Sequence, residues 1–279
     1  MPPYQIVVLG LIAGATIFIG LPAGRLTAAG LGFRAFLSAV AVGILLFLFW
    51  DVVSAAVDPI EVALREAVTG PGGRGQFALL AATGAGCLAA SLPGLVGYER
   101  WLAERGGRSV EPEEEANAPV LVVRPPTTTG RQLATLIAVG IGLHNFAEGL
   151  AIGQSAAAGE LAFAGTLVVG FALHNATEGF GIVAPLAGGP VRPTWAFLGA
   201  MGLIGGGPTV VGTLVGQAFV NTTLSVAFLG LAAGSILYVI IELLGINRAF
   251  GLKVVTSSGI LIGLFLGFGT DLVLYALGG

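Results

Sequence analysis

The residues of this 279-residue chain best able to do chemistry form one phrase written twice. His144-Asn145-Phe146-Ala147-Glu148-Gly149 recurs as His174-Asn175-Ala176-Thr177-Glu178-Gly179, and these are the chain's only two histidines. Within each copy His and Glu are four residues apart, so on a helix they share one face, a turn from each other. The Asn beside each His points about 100° round the same helix. Two helices presenting such faces gather two imidazoles, two carboxylates and two carboxamides. Mixed His and carboxylate donors suit Zn²⁺, Fe²⁺, Mn²⁺ or Co²⁺, whereas Na⁺, Ca²⁺ and Mg²⁺ sites favour oxygen alone. His144, Glu148, His174 and Glu178 make a four-donor set whose two carboxylates balance a divalent charge. Asn145 and Asn175 have two open roles: carbonyl donors to a second cation sharing the glutamates, or hydrogen bonds between helices. A single His/Glu pair on a buried helix would read more readily as an interhelical hydrogen bond. The duplication, with the same Asn, Glu and Gly offsets, favours a metal.

The elements that position these residues are membrane spans. The chain is 55% hydrophobic and 10% charged, with mean hydropathy +0.94, whereas a soluble domain carries about 25% charged residues. The 46 glycines suit close helix packing in lipid. A net charge of −3 without a basic patch argues against a nucleic-acid partner. Cys87 is the only cysteine, so neither a disulfide framework nor a cysteine zinc site exists. Residues 1–10 lack a basic leader region, and the apolar run from there to about Gly24 reads as a retained first span.

A span needs roughly 20 apolar residues. Eight such stretches occur, near 5–24, 36–57, 77–97, 132–155, 161–186, 194–217, 222–245 and 254–276. Two connections are longer. One, 58–76, holds Asp58, Glu61, Arg65, Glu66 and Arg74; the other, 98–131, holds an acidic run over 111–115 and reads as a partly disordered cytoplasmic loop. Arg25, Arg34, Arg100, Arg105, Arg108, Arg124, Arg131, Arg192, Arg248 and Lys253 fall on one side of the eight spans, and only Arg65 and Arg74 on the other. That asymmetry puts the first set in the cytoplasm and both termini outside. On this reading the chain is one all-α polytopic domain over 1–279 in the cell membrane.

Both phrases fall near half the depth of a ~30 Å hydrocarbon core. Two unpaired ionised carboxylates there would cost several kcal/mol each, and the two helices offer no nearby Lys or Arg. Protonated glutamates or a bound cation resolve this. A fainter repeat links Gly43 and Asp51 to Gly234 and Glu242, with the same spacing between glycine and acid. It reads either as an inverted repeat or as chance between two aliphatic helices.

At these residues the chain resembles the ZIP (Zrt/Irt-like) family of divalent metal transporters, and most its prokaryotic, GufA-like branch. The likeness covers the whole chain: eight spans, a variable loop after span three, and paired His-Asn-x-x-Glu-Gly phrases in spans four and five. It implies a 3+2+3 helix arrangement, with spans 1–3 and 6–8 related by inversion, and a metal path between spans four and five, often in a homodimer. It also makes Glu242 a candidate inner exit ligand and Asp51 and Asp271 candidates for the outer vestibule. As acids near span ends, these three could equally be interfacial and structural.

Three departures stand out. The family's motif proline is replaced by Ala147 and Thr177, so the carbonyls of Leu143 and Leu173 can keep their helical bonds. The Glu-Pro usual in span six is here Gly207-Pro208, which leaves a second metal site weak or missing. The span-seven Glu-Leu-x-Pro survives as Glu242-Leu243-Leu244-Gly245.

The expected function is therefore transport of Zn²⁺, with Fe²⁺, Mn²⁺ or Cd²⁺ as further substrates, toward the cytoplasm, with no cofactor beyond the transported ion. No phosphate-binding loop occurs. The alternatives are a proton-coupled carrier using the His/Glu pairs as relays, and an intramembrane metalloenzyme. The second lacks His-Glu-x-x-His and any obvious general base once both carboxylates are ligands, so no enzymatic activity is expected.

Overall fold

A long apolar segment can satisfy its backbone in lipid only by closing each hydrogen bond within itself, which makes it helical. The computed structural model describes residues 2–26, 30–70, 73–105, 130–159, 161–186, 192–218 and 221–276. Among them lie α1 (Pro3–Ala15), α2 (Ile17–Gly20), α3 (Leu31–Thr69), α4 (Arg74–Arg105), α5 (Gly130–Ala157), α6 (Leu161–Val183), α7 (Trp195–Gly216), α8 (Thr222–Phe250) and α9 (Lys253–Ala276), and no strand. Eight helical segments among the described residues are long and apolar enough to cross a membrane, with α1, α2 and the 3₁₀ turn to Arg25 counting as one.

Three local features depart from the expected spans. The first span breaks at Thr16, whose hydroxyl donates to the Ala13 carbonyl at 2.6 Å. Back-bonding of this kind competes with the helical ladder and bends helices. Helix α3 continues through Pro59 to Thr69, across the charged stretch read as a connection. Glu61 and Arg65, one turn apart, pair at 3.4 Å on this exposed stretch, and the Thr69 hydroxyl donates to the Arg65 carbonyl at 2.8 Å. Helix α4 runs on to Arg105, so residues 98–105 are helical, as are Gly130 and Arg131 at the start of α5. The remainder of the expected loop, 106–129, lies outside the described residues.

Small residues let the helices meet backbone to backbone, and the contacts give their directions. α5 and α7 run parallel: Gly142 abuts Ile204, Gly149 abuts Thr209 and Gly153 abuts Thr213. α3 and α9 are parallel as well, through Ala39 with Gly259, Gly43 with Gly263, and Phe47 with Gly267. So are α4 and α8, through Gly84 with Gly230 and Ser91 with Gly234. α1 and α7 are antiparallel, pairing Gly10 with Thr213 and Gly14 with Gly206. Helices an even number of spans apart thus run the same way and those an odd number apart run oppositely. A chain crossing back and forth eight times requires that alternation.

One end of the bundle gathers arginines expected on one side. Arg25 donates to the Pro193 carbonyl and lies 4.7 Å from the Trp195 ring centre. Arg131 sits 4.8 Å over Phe197. Both guanidinium groups therefore flank the first turn of α7, whose cap is Thr194 accepting from the Phe197 N–H at 3.2 Å. α8 and α9 are joined by a tight turn at Gly251, whose φ of 70° suits glycine. α5 is the enclosed centre: Leu136, Ile137 and Ile141 pack with Leu45 and Leu48 of α3 and Ile236 and Val239 of α8.

Candidate metal centre

Without the motif prolines, both α5 and α6 pass through the repeated phrase unbroken. The Thr177 hydroxyl instead donates to the His174 carbonyl at 2.7 Å. Each phrase is pinned by its closing glycine to a third helix. Gly149 lies against the Thr209 carbonyl of α7, and Gly179 lies against the Ile17 carbonyl of α2. A side chain at either position would meet backbone, so these contacts fix how far each phrase can rotate or slide.

The helix pair brings the expected donors together. His144 Nε2 is 2.9 Å from Glu148 Oε1 and 3.8 Å from Glu178 Oε1. His174 Nε2 contacts the same Glu148 oxygen, which therefore lies between two imidazoles. The ring centres are 6.1 Å apart. Among the described residues, His144, Glu148 and His174 form a cluster able to hold a metal ion, their donor atoms all within 4.8 Å of one another. Glu178 borders it through His144. His144, Glu148 and Glu178 are buried, and His174 is slightly more open at 12% exposure. His144 Nδ1, Glu148 Oε2 and both Glu178 oxygens are buried without a protein hydrogen bond. Each is a lone-pair donor in a place where water is scarce, and unpaired polar groups are costly there.

The two asparagines make one of the two contacts that the sequence left open. Asn145 Nδ2 donates to the Gly205 carbonyl of α7 at 3.0 Å, and Asn175 Nδ2 donates to the Ala13 carbonyl of α1 at 3.2 Å. Both therefore link helices. Both Oδ1 atoms nevertheless remain buried and unpartnered, so the amide oxygens are still free to act as donors.

The outlying acids form two pairs. Asp51 of α3 lies within electrostatic range of Asp271 of α9, and of His174, His144 and Glu148. Glu242 of α8 interacts in the same way with Glu99 of α4, which also accepts a 3.3 Å hydrogen bond from the Tyr238 hydroxyl. Sequence reasoning missed Glu99 because it fell in the stretch read as a loop. The faint repeat held the signal. The eight-residue spacing of Gly43 with Asp51 and of Gly234 with Glu242 recurs in their helix-packing partners, as Gly263 with Asp271 and Ser91 with Glu99. In α7, Gly207 has open space where a side chain would project. No protein-family model matches the chain and no curated protein does, so the arrangement of these side chains carries the functional reading.

Proposed function

We propose that the protein carries a divalent transition-metal cation across a cell membrane, toward the cytoplasm, through the site between α5 and α6. The observation that carries this reading is the buried cluster of His144, Glu148 and His174, with Glu178 alongside. Among the described residues its carboxylates have imidazoles as their ion-pair partners, and several donor atoms have no bond. Buried anionic donors in a low-dielectric interior are stabilised by a cation, and two imidazoles select a transition metal over Ca²⁺ or Mg²⁺. Zn²⁺ is the first expectation, with Fe²⁺, Mn²⁺ and Cd²⁺ as further substrates.

On this reading the protein is a transporter of the ZIP kind with a 3+2+3 arrangement. The matched contacts support an inverted relation of spans 1–3 to spans 6–8. Gly212 meets Phe146 and Leu150, as Gly20 meets Ala176 and Phe180. Asp51 and Asp271 would receive the ion on the outer side, and Glu99 with Glu242 would pass it to the inner side. The termini would be extracytoplasmic, the membrane the plasma membrane and the assembly a homodimer. The ligands bind as deprotonated groups, so affinity falls with acidity. Movement is facilitated or coupled to an ion gradient, without enzymatic turnover.

The test is metal uptake into proteoliposomes. His144→Ala and Glu178→Gln are each expected to abolish it, and uptake at the wild-type rate in either variant would reject the site. Ion flux that persists in the presence of a chelator would instead favour the proton-coupled carrier.

A further inference from the structure

Two helix irregularities flank the candidate centre, and they are matched. The first span breaks at Thr16, where the Ala13 carbonyl leaves the regular ladder to bond the Thr16 N–H at 3.3 Å and the Thr16 hydroxyl at 2.6 Å. α7 carries Pro208 in its interior, which has no N–H to give the Ile204 carbonyl and wedges the helix there. One sequence offset relates Ala13 to Gly205 and Thr16 to Pro208. In each helix the residue three before the irregularity offers its carbonyl to a carboxamide: Ala13 to Asn175 at 3.2 Å and Gly205 to Asn145 at 3.0 Å.

A carboxamide that gives its nitrogen to a carbonyl cannot also flip, because its oxygen would then face another oxygen. Both Asn side chains are fully buried, and both Oδ1 atoms lack a partner. Each Asn is three residues before its glutamate, so the two side chains are neighbours on one helix face.

We infer that Thr16 and Pro208 are positioning residues for the metal site: Thr16 draws the Ala13 carbonyl out of the ladder, Pro208 wedges the turn at Ile204 that also carries the Gly205 carbonyl, and these two carbonyls hold Asn175 and Asn145 by their nitrogens, leaving the buried amide oxygens as donors for the cation. The inference rests on the proposed metal site and deepens it. With the amide oxygens committed, the centre offers two imidazole nitrogens and four oxygen-bearing side chains, two carboxylates and two carboxamides. Harder, higher-coordinate ions gain most from added carbonyl oxygen, so Mn²⁺ should benefit more than Zn²⁺.

The experiment uses the full chain in detergent, with Mn²⁺, Zn²⁺ and Co²⁺ as probes. Thr16→Val lacks the hydroxyl that opens the ladder, and Pro208→Ala restores the missing N–H. Each variant is expected to weaken Mn²⁺ binding relative to Zn²⁺ by about tenfold, the scale of one lost hydrogen bond or ligand contact. The visible absorption of bound Co²⁺ should intensify in both as coordination falls toward four. Thr16→Ser keeps the hydroxyl and should retain the wild-type ratio and spectrum. General loosening would weaken both metals alike and leave the Co²⁺ spectrum unchanged. Wild-type Mn²⁺/Zn²⁺ ratios and Co²⁺ spectra in both variants would overturn the inference while leaving the metal site standing. Absence of metal binding by the wild-type protein would instead remove the proposed function itself. If Thr16→Val does not fold, Pro208→Ala on the other helix decides alone.

Discussion

Gly14 of α1 and Gly206 of α7 each lie against the other's carbonyl, where a side chain on either would project. The two helices cross at this reciprocal point, one turn or less from the residues that hold the asparagines. A Cβ added at Gly206 meets rigid backbone, whereas its neighbour Gly207 faces open space. Gly206→Ala should therefore destabilise the protein by about 1–3 kcal/mol, the usual scale of overpacking. Gly207→Ala should be neutral or gain up to ~1 kcal/mol of helix propensity. Thermal melting in detergent compares them directly. Equal midpoints for the two variants would mean that the crossing is looser than the contacts indicate.

The open space at Gly207 also makes a gain-of-function change feasible. A glutamate there would project without displacing backbone, one residue before Pro208. Gly207→Glu should raise the number of Cd²⁺ ions bound per chain, using carboxylate and amide oxygens left free at Glu178 and Asn145. Elemental analysis of dialysed protein counts them. An unchanged count would show that the glycine is not what limits the site to its present donors.

Much of this arrangement was legible in the sequence because it rests on side chains with rare types and fixed spacing. Two histidines in 279 residues, each four before a glutamate, leave little freedom about which groups meet. The spans were legible because apolar length is dictated by membrane thickness. What could not be read was backbone. Ala13 and Gly205 hold the asparagines through carbonyls, and every residue has a carbonyl, so no residue type marks them. The break at Thr16 was hidden for the same reason, since a threonine inside an apolar run is ordinary. Asp58 and the charges after it suggested a connection. α3 nevertheless continues as helix there, with Glu61 and Arg65 one turn apart on its exposed face. Glu99 was lost to the same cue: charge near a span end looks solvated until a partner such as Tyr238 is seen.

Glu178 offers a test that separates function from folding. Both its oxygens are buried without a hydrogen bond, so in the metal-free protein it is a burden on stability. Glu178→Gln removes the charge of a fully buried acid whose nearest ion-pair partner is His144 at 3.8 Å, and should raise the stability of the metal-free form by about 1 kcal/mol or more. The same variant should lose the stabilisation that metal confers on the wild type, about 2.7 kcal/mol at a hundredfold excess over Kd. Melting with and without Zn²⁺ reads both effects. A variant that is weaker without metal, yet still stabilised by Zn²⁺, would make Glu178 a structural residue.

The inner acids provide the last prediction. Glu242 and Tyr238 are four apart on α8, so they share a face, and both interact with Glu99 of the parallel helix α4. None of the three contacts the His/Glu cluster among the ion pairs and hydrogen bonds described for it. If an ion leaves the central site past these acids, neutralising one should slow passage without emptying the centre. Glu242→Gln should therefore reduce proteoliposome uptake on the order of tenfold, the value of about 1.4 kcal/mol of lost attraction, while equilibrium Cd²⁺ binding stays at the wild-type level. Glu99→Gln should act in the same direction, and the double variant should lose less than the product of the two, because the acids serve one step. Loss of central binding in either single variant would place Glu242 or Glu99 in the holding site and move the exit elsewhere.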